Sequence, residues 1–483
     1  MSIVKINRDE LRDKIYGCWL GKNIGGTLGM PYECCTDMQD VHGYKNASGE
    51  PVPNDDLDLQ LIWLRAIQDR GPLGVNAKVL GEYWLNFIPP HWNEYGICKS
   101  NMRAGLIPPL SGECYNELWR DSNGAWIRSE IWACLAPGCP DIAIKYAYED
   151  ACVDHGGGEG TNAALFTSAV QSAAFVVSDR DELIKIGLSK IPPDCRVAKS
   201  INIVLDSYKN GLSWKEARKA VVDDSADLGW FQAPANVAFV IIGWMYGEGD
   251  FGKSVCTAVN CGDDTDCTGA TLGATLGIIL GRKAIPKEWT EPIGDRIVTL
   301  AIDKGSCADR VFPGTLDELT KQVMAEVEHS IHAHKGQVEI VDGKSDISHA
   351  SELKLDENIA AREIWKKSPY ALEYDFIHTK VIVDYLVVPE IRAGVPLPMK
   401  ITLINRMPDS RHLELIWHLP EGWIASTGLR SHTYITHWPP KQEIDVEITA
   451  ESVTEATTRG ILEIVTPGRP TVGLVPLIFY NSR

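Results

Sequence analysis

The sequence predicts a multidomain chain, an all-α domain followed by a β-sandwich. Three observations carry that prediction. Through the first 335 residues apolar side chains recur every three or four positions, and few stretches alternate. Beyond Tyr370 the period falls to two, and Pro, Gly and Asp separate short runs. The 13 cysteines all lie between Cys18 and Cys307, so composition itself changes along the 483 residues. The expected boundaries are residues 1–335 for the helical domain, 336–369 for a charged connector and 370–483 for the sandwich.

Within the helical part, Leu11, Ile15 and Trp19 fall on one helical face, and Leu57, Leu61, Leu64 and Ile67 repeat the spacing. Further helices are predicted over 142–150, 162–177, 180–189, 198–209, 214–223, 236–247 and 316–333. Pro89-Pro90, Pro108-Pro109 and Gly156-Gly157-Gly158 punctuate them. After Asp266 the glycines stand at 269, 273, 277 and 281. Four-residue spacing keeps one side of a helix bare, so another backbone can come close; this predicts a buried central helix. In the tail, 380–388, 399–405, 413–418 and 460–465 alternate or run β-branched, as strands do.

Composition excludes several classes. At 44% hydrophobic and 23% charged the chain is neither disordered nor collagenous. A net charge of −18 argues against a nucleic-acid partner, whose phosphates need Lys and Arg. The apolar run around Val237 to Met245 is far short of the roughly 20 residues of a membrane span, so no membrane partner is expected. The first ten residues carry Lys5, Arg8, Asp9 and Glu10 and lack an apolar export core. Together with an odd number of cysteines, this predicts a cytoplasmic protein with reduced thiols.

Two acidic clusters point to chemistry. Asn54-Asp55-Asp56-Leu57-Asp58 precedes one apolar helix, and Gly262-Asp263-Asp264-Thr265-Asp266 precedes the glycine-spaced one. Capping a helix needs one or two such residues. Three acids within four positions repel one another, by about 4 kcal/mol per pair at roughly 4 Å and an effective dielectric of about 20. A divalent cation relieves that repulsion, and Asp and Asn oxygens suit hard ions such as Mg²⁺, Mn²⁺ or Ca²⁺.

Other motifs point elsewhere or nowhere. Gly17-Cys-Trp-Leu-Gly21-Lys22-Asn23 is one residue short of a phosphate-binding loop and lacks Ser or Thr after the lysine. Cys256, Cys261 and Cys267 do not have zinc spacing, and buried thiols are the default for them. Among the aromatics crowded between Tyr83 and Trp126, most should be core, and Trp126 is the one expected to face a sugar or base.

At the acidic residues the chain resembles the ADP-ribosylglycohydrolase family, which includes the dinitrogenase-reductase-activating glycohydrolase. The run from Gly17 through Gly21, Gly25 and Gly29 to Pro31-Tyr-Glu33 is similar to that family's opening helix and flap acid. Asn54-Asp55-Asp56 is similar to its Thr-Asp-Asp segment, and Gly262-Asp-Asp264-Thr-Asp266 to its Gly-Gly-Asp-Thr-Asp. Asn123-Gly124-Ala125-Trp126-Ile127-Arg128 resembles its Asn-Gly-Ala turn with one extra residue, and Asp154-His155 its Thr-His pair.

The resemblance implies a metal-dependent hydrolase that cleaves an N- or O-glycosidic bond at the anomeric carbon of an ADP-ribose-type substrate. It implies one or two ions, Mg²⁺, Mn²⁺ or Ca²⁺, on Asn54, Asp55, Asp56, Asp264 and Asp266. Glu33, Asp55 and Asp56 would be catalytic; Asn123, Gly124, Trp126, Arg128, Asp154 and His155 would meet the substrate. Departures leave alternatives open. Cys267 stands where the family commonly has Thr, which puts a second ion in question, and Leu57 and Gly26 replace polar residues. The alternatives are a glycosidase for a small furanoside, nucleoside or other sugar, and a non-catalytic binding or structural protein. The tail is similar to immunoglobulin-like sandwiches appended to carbohydrate enzymes, and would bind sugar, act as a spacer or support a homo-oligomer.

Overall fold

The computed structural model describes residues 4–45, 50–303, 312–469 and 472–481. The chain forms two compact units, Met1–Lys99 with Tyr115–Lys366, and Ser100–Cys114 with Lys367–Arg483. Cys307 lies outside the described residues; no disulfide joins the twelve described cysteines.

The first unit is helical and is organised by α1, Arg8–Gly29. Its first turn is capped by Asn7, whose side chain accepts the N–H groups of Asp9 and Glu10. The glycine-spaced segment forms the helix Thr265–Leu280, and the backbone that approaches it belongs to α1. A Cβ at Gly21 would fall 1.9 Å from the Gly273 carbonyl oxygen, and one at Gly25 1.9 Å from that of Gly269. Gly17 faces Gly277 in the same way, so the two helices run antiparallel. This seam decides where the site can be: the end of α1 lies beside the start of Thr265–Leu280.

α2 spans Asp55–Arg70, with Asn54 as its N-cap accepting the Asp56 N–H. The predicted helices 180–189 and 316–333 form as Arg180–Ser189 and Leu316–Ala333, and the others form with small shifts at their ends. Ala77–Phe87, Asn93–Ala104 and Phe251–Asn260 are helices that the periodicity did not single out. Gly, Ser and Thr interrupt the pattern in Phe251–Asn260, and its burial stabilises what propensity does not. No helix among the described residues is long and apolar enough to cross a membrane.

Residues 336–366 lie in the first unit. There Val338–Val341 (β2) pairs in parallel with Val4–Asn7 (β1), in register from Val4 opposite Val338 to Asn7 opposite Val341. Ile359–Trp365 is helical, and the Trp365 indole N–H donates to the Lys190 carbonyl at 3.0 Å.

The second unit contains two five-stranded sheets. One takes the order β3 (Ala371–Asp375), β4 (Thr379–Asp384), β6 (Leu397–Asn405), β10 (Lys441–Ala450), β8 (Trp423–Ala425). The other takes β5 (Glu390–Ile391), β12 (Val472–Asn481), β11 (Thr457–Val465), β7 (Arg411–His418), β9 (Arg430–Ile435). Pairing is antiparallel except between β12 and β5. The inward residues of both sheets, among them Val383, Ile401, Leu415, Leu462 and Val475, share one buried apolar core, joined by Leu106, Leu110 and Cys114 of the 100–114 segment. A sheet-on-sheet core of this kind is what the alternation in the tail predicts.

Candidate active site

Three short stretches of chain meet at the end of the glycine seam. Asp55 and Asp56 open α2, Asp264 caps and Asp266 opens Thr265–Leu280, and Glu33 follows α1. Backbone pairing joins the flap to the acid loop: Cys34 N–H donates to the Asp263 carbonyl at 3.0 Å, and Asp263 N–H to that of Cys35 at 2.8 Å. Asp263 has φ of +71° and turns its carboxylate away, accepting the Phe231 N–H at 3.0 Å and the Asn236 amide at 3.1 Å. Asp58 is likewise structural, accepting the Leu300 and Ala301 N–H groups at 2.5 and 2.6 Å. The remaining acids converge. Asn54 Nδ2 lies 3.3 Å from Asp266 Oδ2, and the Cys267 thiol donates to Asp56 Oδ1 at 3.3 Å.

Whether this donor set suits a cation can be tested on its own atoms. Asp56, Asp264 and Asp266 are 1%, 0% and 3% exposed, and Asp56 Oδ2, Asp264 Oδ1 and Asp266 Oδ1 have no hydrogen-bond partner. Ligand oxygens of Glu33, Asp264 and Asp266 lie within 4.8 Å of one another, as do ligand atoms of Asp56, Asp266 and Cys267. Burial, and after it the mutual repulsion of the carboxylates, pushes Asp56, Asp264 and Asp266 well above the ordinary carboxylate range. Glu33, half-buried, is raised by burial and by Asp55. Buried carboxylate oxygens without partners are costly. A hard cation is the group that would satisfy them, so the residues fit one.

The neighbours hold these acids in place. Tyr95 donates to Asp55 at 3.0 Å, and the Asn123 amide donates to Asp264 at 2.6 Å. The Trp126 indole N–H in turn donates to Asn123 Oδ1 at 3.1 Å. Beneath lies a buried ionic network in which Arg128 reaches the Gly124 carbonyl, Asp150 at 3.0 Å and Asp154 at 2.8 Å. His155 Nδ1 is 2.8 Å from Asp154, and against the push of burial Arg128 and His155 hold Asp154 below its usual range. Burial pushes Asp150 up to about 6 even with Arg128 beside it.

The structure places the expected substrate and ligand residues as follows. Asn123, Gly124, Trp126, Arg128, Asp154 and His155 are brought together, but all are buried, Trp126 and Arg128 with 0% exposure. The Trp126 indole N–H is used on Asn123, and the set as it stands supports the acids from below. Asn54 uses its oxygen to cap α2 and turns its amide nitrogen toward Asp266, so it holds a carboxylate where an oxygen donor was expected.

Sequence reasoning also missed Lys22, which is 2% exposed and reaches the Ile127 carbonyl at 2.6 Å, Glu130 at 3.1 Å and Asp56 at 3.7 Å. The signal was available: a lysine beside Gly21, on a helix packed backbone to backbone, has little access to water. Tyr95, Glu94 and Glu130 carried no such signal.

The sequence profile described as ADP-ribosylglycohydrolase matches residues 7–324. An uncharacterized protein of Archaeoglobus fulgidus is 25% identical over 308 residues, covering 59% of this chain and 93% of the relative. A solved structure described as an ADP-ribosylglycohydrolase-related protein complex aligns with a TM-score of 0.47 at 19% identity, over 67% of this chain and 99% of its own.

Proposed function

The chain belongs to the ADP-ribosylglycohydrolase family, and from that premise we propose that it hydrolyses an N- or O-glycosidic bond at the anomeric carbon of an ADP-ribose-type substrate, with one or two Mg²⁺ or Mn²⁺ ions at the centre formed by Asp55, Asp56, Asp264 and Asp266. The observation that carries the reading is the convergence of buried carboxylates from α2 and from the loop before Thr265–Leu280, some two hundred residues apart, with Asp264 Oδ1 and Asp266 Oδ1 lacking a hydrogen-bond partner. When bound, the cation supplies a Lewis acid that orients hydroxyls and acidifies water.

The chain's own residues do the rest. Glu33, raised by burial and by Asp55, takes the proton of the attacking water at a carboxylate oxygen. Water then adds its oxygen to the anomeric carbon as the bond to the leaving nitrogen or oxygen breaks, and the proton taken by Glu33 is returned, through solvent, to the leaving group. Tyr95 keeps Asp55 oriented and Asn123 keeps Asp264 oriented. Asn123, Gly124, Trp126, Arg128, Asp154 and His155 act in this reading mainly as the floor that fixes those orientations.

Asp266→Asn tests the proposal. It should abolish metal binding and lower turnover on the order of 10²-fold or more, the scale of a lost electrostatic stabiliser. ADP-ribosyl-arginine and ADP-ribosyl-serine are assayed beside a panel of small ribosides. Release from the ribosides alone replaces the substrate assignment. Full metal content in the variant with unchanged rate removes the ligand assignment.

A further inference from the structure

The geometry points to a centre that holds one divalent cation, because the position a second would take is closed by the chain's own Lys22 and Cys267. This deepens the metal reading above and rests on it.

Two candidate cation positions share Asp266. One lies on Asp264 and Asp266, with a Glu33 carboxylate oxygen within 4.8 Å of both. The other is formed by Asp56, Asp266 and Cys267. The two differ in what already occupies their donors. In the all-carboxylate position, Asp264 Oδ1 and Asp266 Oδ1 are buried and partnerless. In the other, Asp56 Oδ1 accepts the Cys267 thiol at 3.3 Å, and Asp56 Oδ2 faces the Lys22 ammonium at 3.7 Å. A thiol that still bears its hydrogen is a poor donor to a hard ion.

Lys22 cannot swing away to make room. It is 2% exposed, and its ammonium is fixed by the Ile127 carbonyl at 2.6 Å and Glu130 at 3.1 Å. Glu130 is itself held by the Gln60 amide at 2.8 Å and the Gln171 amide at 3.3 Å. A buried lysine so placed is a permanent unit charge against Asp56. A second divalent ion there would face that charge at close range in a medium that screens it poorly. Lys22 thus supplies from the protein part of the neutralisation that a second ion would bring.

Equilibrium dialysis against Mn²⁺, with metal per chain measured by elemental analysis and the spectrum read by electron paramagnetic resonance, tests this without reference to activity. The intact chain should hold one Mn²⁺ with the spectrum of an isolated ion. Lys22→Met/Glu130→Gln, which removes both charges of the pair, Cys267→Thr, and the triple combination are measured beside it. The triple variant should gain a second Mn²⁺ and show the spectrum of a spin-coupled pair. Should it fail to fold, a second ion in either of the other two variants supports the same conclusion. Two ions in the intact chain overturn the inference, as does a single ion in every folded variant. Absence of any Mn²⁺ from the intact chain removes the metal reading itself, a different failure from two ions.

Discussion

The two units bury opposite kinds of interior. The helical unit encloses charge: Lys22, Arg128, Glu130, Asp154, Asp264 and Asp266 are each at most 3% exposed. The β unit encloses an apolar core, and among its described residues only Glu113 and Arg411 are buried charges. Moving an ion out of water costs several kcal/mol even after relaxation, and apolar residues of equal volume are often as stable or more so. The β unit therefore has the interior that folding alone favours. The helical unit has one that stability alone does not explain, and Asp264 Oδ1 and Asp266 Oδ1 in it have no hydrogen-bond partner. That contrast locates function in the first unit without reference to any relative.

The sharpest way to break the contrast is Arg128→Met. It removes the cation from Asp150 and Asp154, both buried and now 3.0 and 2.8 Å from the guanidinium. The expected loss is about 3–5 kcal/mol, read from denaturant unfolding. A loss no larger than that of an ordinary surface substitution would mean the network is not the buried ionic core described.

Chelation with a pH series gives the next, smaller effect. Asp264 and Asp266 have folded values raised by burial first and then by neighbouring carboxylates. A raised folded value contributes stability that is full below the ordinary carboxylate range and is lost as pH climbs through the raised value. The chelated protein should therefore lose melting temperature as pH rises across that window, and added Mn²⁺ should restore more of it at the high end, where no proton competes. A chelated protein that gains stability with pH would show that the acids are satisfied without a cation.

How much of this was legible in the sequence follows the same division. The strands around 399–405 and 413–418 were legible because one face is buried and one is wet, and that alternation is local. The acid loops were legible because they hold more carboxylates than capping requires. The glycine row at 269, 273 and 277 announced a close helix, although its partner row at 17, 21 and 25 became visible only in space. Glu130, Glu94 and Asp150 were not read, because a buried charge and a solvated one are the same letter and their partners lie far along the chain. Residues 338–341 were read as connector because four residues are too few to display a period; their pairing with Val4–Asn7 is a tertiary fact. Trp126 was expected to face a ligand because it lies inside the Asn123–Arg128 run, and its place under Asn123 depends on packing that no spacing encodes.

The smallest predicted effect tests the other side of the comparison. Ile401 is 0% exposed in β6, opposite Val383 of β4 and Ile444 of β10. Ile401→Val removes one methylene from an interior held by packing, and should cost about 0.5–1.5 kcal/mol by denaturant unfolding. It alters no charge and exposes no donor, so metal content and the pH dependence of the chelated protein should match those of the parent. A loss confined to stability is the behaviour of a region whose interior only holds itself together. A variant that also lost metal would show that this interior serves the acid centre, and the division between a unit that folds and a unit that acts would fail.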